Sequence, residues 1–362
     1  MAGKETGTFT PATAEITSVH YVDEIVKSLE PVVAKSFDIL LPEDGKRWTP
    51  ADFLPDMSSP GWEDRIREFQ EISANLPTWY FVILAVNTAT EEALPSYEAR
   101  LQQYDSIRDQ TGTDQTPYAR GSREWTAQEY FHGELLMGLL NLSARIDMNR
   151  LYITNANLIR NGFNMNVINA IMFRLWTAGQ ERVTKKVHGK MANVAQHAGA
   201  TPYHKGQAVI TGHESNHERY YEAFNKGAFH IAPESSMLSL AELVRRGMIM
   251  PTRLIDDEVS RDENGQPDLF ERYGRLAWVE GIYTPADYAE VIGHMIEAYG
   301  IKNLSLSGDA ARAQQYVLDK FEQRLRVAQE YDTRRIKRPD PESFSFIVPR
   351  PEPLRRTIAL AK

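Results

Sequence analysis

TAQEYFHGE at residues 126–134 and TGHESNHERYY at residues 211–221 are the two stretches on which the fold turns. In each, a glutamate is followed three residues later by a histidine: Glu129 with His132, and Glu214 with His217. Both lie in long segments of helical periodicity. Residues three apart on a helix share a face, so a carboxylate and an imidazole at that spacing can hold one ion together. Each pair also continues an apolar stripe, with Trp125, Glu129, His132 and Leu136 on one face and Ile210, Glu214, His217 and Tyr221 on another.

Working outward, a helical segment carrying Glu91 precedes the first pair, and one carrying Glu181 precedes the second. Four carboxylates and two imidazoles from four helices form the ligand set of the ferritin-like di-iron and di-manganese carboxylate proteins. Oxygen and imidazole donors suit iron or manganese. Four carboxylates also balance two divalent cations, which offsets much of the desolvation that a lone buried carboxylate would meet. Spacing alone leaves a second reading open, in which each Glu-x-x-His is a solvated pair on a helix surface.

The rest of the chain agrees with a helical protein. Periodicity predicts helices over about 22–37, 62–74, 78–106, 117–145, 149–161, 166–197, 203–226, 235–248, 267–279, 285–299 and 307–330, without alternating β-type runs. The expected fold is therefore all-α, a ferritin-like helical bundle with additional flanking helices. Length fits a single domain with three parts: an arm and Pro-punctuated loop over 1–60, the bundle over 61–335, and an extended tail over 336–362. Within that tail, Phe344 to Val348 reads as a short strand or docking segment. Pro95, four residues after Glu91, must displace the Glu91 carbonyl from the helical ladder and kink the first ligand helix.

Composition narrows the chemistry. The absence of cysteine removes disulfides, Cys-ligated zinc, iron-sulfur clusters and thiol catalysis. A net charge of -8 disfavours a broad grip on nucleic acid. No apolar run is long enough to span a membrane, and residues 1–20 hold no apolar leader pattern, so a cytoplasmic location is expected.

Four segments, TEEALPSY at 90–97, REWTAQEYFHG at 123–133, GQERVT at 179–184 and GHESNHER at 212–219, resemble the ligand helices of the soluble acyl-carrier-protein desaturases. RWTPADFLPD at 47–56, LSARIDM at 142–148, GIYTPADYAEVI at 281–292 and FSFIVPR at 344–350 extend the resemblance over nearly the whole chain. It implies a homodimeric bundle around two iron ions, cycling between Fe2+ and Fe3+, with Glu91, Glu129, His132, Glu181, Glu214 and His217 as ligands. It implies oxygen as co-substrate, a ferredoxin-type electron donor, and removal of hydrogens from a methylene pair of a carrier-bound acyl chain. Thr184 matches the family threonine beside the oxygen-binding position. A basic rim for the acidic carrier is expected, with Lys185, Lys186, Lys190, Arg245 and Arg246 as candidates.

Three departures from the family pattern stand out. His213 replaces the usual Asp that links a ligand imidazole to a surface Trp, here Trp48, and Asn216 replaces an Arg; with Trp125 these residues surround the ligands, so the electron path differs. At positions that are typically small or apolar in the deep channel, this chain has Arg100, Gln103, Tyr104 and Phe173, which predicts a shorter or more polar acyl chain than C18. The same departures motivate an alternative, a di-iron hydroxylase or N-oxygenase acting on a carrier-bound or small substrate. A non-enzymatic ferritin-like metal binder is the rival from another class.

Overall fold

The computed structural model describes residues 18–42, 45, 47–331 and 335–349. The outer parts of the expected arm and tail, 1–17 and 350–362, lie outside the described residues.

Four helices lie at the centre. α4 (Thr78–Glu91), α6 (Pro117–Leu142), α8 (Ala170–His197) and α9 (Thr201–Ile231) pack together, with α8 and α9 forming the most extensive pair and α4 and α9 each meeting α6. Around them lie α1 (Val19–Ser28), α2 (Glu30–Ser36), α3 (Trp62–Ala74), α5 (Leu94–Leu101), α7 (Met148–Asn161), α10 (Pro233–Arg246), α11 (Leu269–Val279), α12 (Pro285–Ala298) and α13 (Gly308–Gln329). Among the described residues no helix is long and apolar enough to cross a membrane. There is also no strand ladder, only the isolated bridges Ile146 to Ile347 and Arg261 to Pro267.

Local chemistry sets these ends. Thr116 caps α6 by accepting from the Ala119 amide, and Pro117 fills its first turn. Asn169 caps α8 by accepting from the Met172 amide at 2.8 Å. α4 is buried on every side from Tyr80 to Glu91, as expected of a helix that is apolar all round. Each large aliphatic or aromatic side chain buried there contributes about 1.5–3 kcal/mol.

The structure departs from the predicted helix boundaries where backbone chemistry intervenes. The segment predicted as one helix over 78–106 is two: α4 stops at Glu91, and α5 starts at Leu94 with Pro95 in its first turn. Proline has no N–H to continue the ladder, so the kink becomes a break. The predicted helix over 22–37 likewise divides at Leu29, with Pro31 in the first turn of α2. α6 ends at Leu142, just before Ala144 at φ 57°, and α8 begins at Ala170 because Asn166 at φ 55° cannot belong to a right-handed helix.

Close approach between α6 and α9 depends on Gly121. A Cβ there would lie 2.0 Å from Tyr220 Oη and 2.9 Å from its Cζ. The tail segment docks beside the α6–α7 turn: the Asp147 amide donates to the Phe346 carbonyl at 2.8 Å and the Val348 amide to the Arg145 carbonyl at 2.9 Å. Phe344 and Phe346 bury their rings there.

Candidate metal centre

Glu91 on α4, Glu129 and His132 on α6, Glu181 on α8, and Glu214 and His217 on α9 converge inside the bundle, none more than 5% exposed. Their donor atoms form two groups, each with all its atoms within 4.8 Å: Glu91, Glu129, His132 and Glu214 in one, and Glu129, Glu181, Glu214 and His217 in the other. Glu129 and Glu214 belong to both. His132 Nδ1 lies 2.9 Å from Glu129, 3.5 Å from Glu214 and 3.9 Å from Glu91. His217 Nδ1 lies 3.0 Å from Glu129, 3.5 Å from Glu214 and 3.7 Å from Glu181.

The donor set passes a simple test of fit to metal. Buried polar atoms are normally hydrogen-bonded, yet Glu91 Oε1, Glu129 Oε1, Glu181 Oε2, both Glu214 oxygens and His217 Nδ1 have no hydrogen-bond partner. Six orphaned donor atoms face one another from four helices, as oxygen and imidazole ligands of a hard divalent pair would.

Electrostatics point the same way. Burial, then the Glu129 charge, pushes the Glu91 carboxyl up, and burial with Glu214 pushes Glu181 well up. Burial would raise Glu129 too, but the two imidazoles outweigh it and bring it down to about 2. Burial disfavours charge on His132 and His217, yet the glutamates around them hold both well above the usual imidazole range. Protons thus supply the positive charge that two cations would otherwise bring.

Behind the donors lies a shell of partners. Trp125 Nε1 donates to Glu181 Oε1 at 3.1 Å. Trp48 Nε1 donates to His213 Nε2 at 2.9 Å, and His213 Nδ1 lies 3.2 Å from His132 Nε2. Asn216 takes another role, its amide oxygen accepting from Arg219 at 3.4 Å. Thr184 Oγ1 spends its proton on the Gln180 and Glu181 carbonyls at 3.2 and 3.1 Å.

Two partners, Gln128 and Gln207, escaped the sequence reading. Gln128 Oε1 meets His217 Nε2 at 3.0 Å. His188, which the sequence alone offers as a satisfied or an exposed imidazole, is the former: it is buried with Nε2 3.5 Å from Glu91 Oε1 and Nδ1 2.7 Å from Gln207 Oε1. One signal was available: Gln128 stands just before Glu129, as His213 stands just before Glu214.

A cavity of about 510 Å³ adjoins the donors, with Glu91, Thr184 and His188 on its inner wall and Phe270, Tyr273 and Tyr283 among its apolar lining. It reaches the exposed residues Arg253, Arg275 and Trp278. The four side chains named for the deep channel do not line it. Tyr104 and Phe173 are buried with ring centroids 6.2 Å apart, Arg100 donates to the Val167 carbonyl and to Gln103, and Gln103 is exposed.

The cations named for a basic rim are committed elsewhere. Lys185 pairs with Glu218, Lys186 with Glu290 at 3.1 Å and Lys190 with Asp287 at 2.8 Å, while Arg245 and Arg246 both bind Glu242. A further group, Glu218, Glu222 and His294, is likewise neutralised by Arg182, Lys185 and Lys226.

The sequence matches the family model described as "Fatty acid desaturase" over residues 22–348. It is 34% identical over 326 residues to the chloroplastic stearoyl-[acyl-carrier-protein] 9-desaturase of Olea europaea, covering 90% of this chain and 82% of that one. It is 35% identical over 329 residues to the chloroplastic acyl-[acyl-carrier-protein] desaturase of Cucumis sativus, covering 90% and 81%. Among solved structures, DesA2 from Mycobacterium tuberculosis H37Rv, described as an acyl-ACP desaturase, matches with a TM-score of 0.50 at 13% identity, covering 80% of this chain and 99% of that one. With buried glutamate and histidine groups on four packed helices and these relatives over most of its length, the chain belongs to the acyl-[acyl-carrier-protein] desaturase family of di-iron oxidoreductases.

Proposed function

We propose that the protein desaturates a carrier-bound acyl chain with oxygen, holding two iron ions on Glu91, Glu129, His132, Glu181, Glu214 and His217. The single observation that carries this reading is the six orphaned donor atoms lying beside an apolar cavity that reaches the surface. Bound iron supplies the reduction of oxygen that removes two hydrogens from the chain, with electrons from a ferredoxin-type donor.

The protein's own part is to position the chain and exclude water. The apolar cavity holds a hydrocarbon against Glu91 and Thr184. With its proton given to two backbone carbonyls, Thr184 offers the cavity an acceptor and not a donor. Arg100, Gln103, Tyr104 and Phe173 stand outside that cavity, so they set no limit on the length of a chain bound in it. Arg253 and Arg275 at the cavity mouth have no ion-pair partner among the described residues, and they replace the committed lysines as the cations that meet an acidic carrier protein. As in the family resemblance, the working unit is a homodimer.

The test is aerobic incubation of the iron-loaded protein with a reducing system and acyl-carrier substrates of graded length, followed by mass spectrometry. A product about two mass units lighter supports desaturation. A product about sixteen units heavier favours the hydroxylase or N-oxygenase reading. Unchanged substrate at every length, with iron bound, would remove the enzymatic reading altogether.

A further inference from the structure

The face that α4 turns toward the cavity is polar. Asn87, Thr90 and Glu91 stand at i, i+3 and i+4, so they share one side of the helix, and all three line the cavity. Glu91 belongs to the metal centre; Asn87 and Thr90 do not. Asn87 is only 8% exposed, and its Nδ2 has no hydrogen-bond partner. Nearby Thr88, by contrast, gives its proton to the Leu84 carbonyl at 2.8 Å.

Buried amide hydrogens are nearly always matched to an acceptor, because leaving one unmet forfeits its hydration for nothing. An apolar residue, as at each position from Phe81 to Val86, would carry no such cost. A saturated hydrocarbon chain entering the cavity displaces any water that reaches the amide and offers nothing in its place. A chain that carries an oxygen there restores the bond. Half a turn of the amide about its last single bond presents either Nδ2 or Oδ1, so Asn87 can donate to a carbonyl, and donate to or accept from a hydroxyl.

Helix geometry fixes where along the chain that oxygen must lie. Asn87 and Glu91 are about 6 Å apart along α4, the length of about five carbon–carbon bonds in an extended chain. Arg253 and Arg275 mark the surface end of the cavity, where the carrier stands, whereas Asn87 sits one turn from a metal donor. The oxygen that meets it therefore belongs to the chain and not to the thioester.

We infer that the cavity selects an oxygenated acyl chain, with a hydroxyl or carbonyl oxygen held on Asn87 about five bonds from the carbons that face Glu91. This rests on the desaturase reading above and names its substrate class. Asn87 is then the residue that distinguishes such a chain from a plain one. Leaving its amide unmet corresponds to about tenfold in affinity.

The experiment is anaerobic equilibrium binding of acyl-carrier thioesters to the iron-loaded, full-length protein, using one chain length, either plain or bearing a hydroxyl or keto group at successive carbons. One oxygenated chain is expected to bind about tenfold more tightly than the plain one. Asn87→Leu keeps the size of the side chain and should melt at the wild-type temperature or higher without substrate. It should also erase the preference, weakening the oxygenated chain while holding the plain one as well or better. Equal binding of all chains by the wild type, or a preference that survives in Asn87→Leu, would overturn the inference. So would a variant that weakens every chain alike, which would put the thioester on the amide. Failure of the protein to bind any chain or to oxidise any would instead bring down the desaturase reading itself.

Discussion

Gln128 Oε1 accepts from His217 Nε2 at 3.0 Å although the two residues are 89 positions apart in the chain. Its neighbour Glu129 points into the centre from the same turn of α6, while His213, just before Glu214 on α9, reaches back to His132. Each ligand pair is thus braced by the residue preceding the other pair's glutamate. A brace of this kind orients a ligand and tunes its basicity, and losing one lowers metal affinity about 10–100-fold.

Glu181→Gln keeps the volume of a group that burial and Glu214 already hold well above the usual carboxylate range. The chelated protein should therefore melt at the same temperature or higher, while Co(II) affinity falls about 10–100-fold. Thermal melts with and without metal check this. A parallel loss of stability and binding would make Glu181 a residue of the fold and not a ligand.

Gly121→Ala places a methyl 2.0 Å from Tyr220 Oη. Tyr220 is buried, so α6 and α9 must separate, at about 1–3 kcal/mol. Chemical denaturation measures the loss, and an unchanged midpoint would mean the tyrosine ring can swing clear.

Acid stability should depend on Glu222. Burial opposes its ionisation, but hydrogen bonds from His294 and Lys226 outweigh that and lower it from 4.5 to about 2. A lowered carboxyl contributes stability that is present above its unfolded value and lost as pH falls through the folded one, here between about 4.5 and 2. After discounting for partial exposure, the contribution is about 1 kcal/mol. Glu222→Gln should flatten the stability profile in that window, and a profile that is unaltered there would assign the acid limb to other groups.

Charge reversal at the mouth, Arg253→Glu with Arg275→Glu, should slow association with an acidic carrier and weaken its dependence on salt. The same reversal at Lys186, paired with Glu290 at 3.1 Å, should leave the salt dependence of association as it is. Stopped-flow binding over a range of ionic strength separates the two.

Much of this architecture was legible in the order of residues, because helix formation and the i, i+3 geometry of Glu129 with His132 and of Glu214 with His217 are local. A kink at Pro95 was legible for the same reason, although its growth into a full break was not. The partners of Lys185, Lys186 and Lys190 could not be read, since they come from α9 and α12, and only packing decides which acids stand opposite.

What the sequence by itself determined is the all-helical class and the family, and it named the six residues that the fold brings together. Tertiary structure alone decided that Gln128 and His213 cross-brace opposite imidazoles, that His188 stands against Glu91, and that the cavity passes Thr184 without touching Tyr104 or Phe173. The reason is physical: backbone periodicity is written within a few residues, whereas a hydrogen bond spanning 89 positions exists only once helices from distant parts of the chain have been packed to within 3.0 Å.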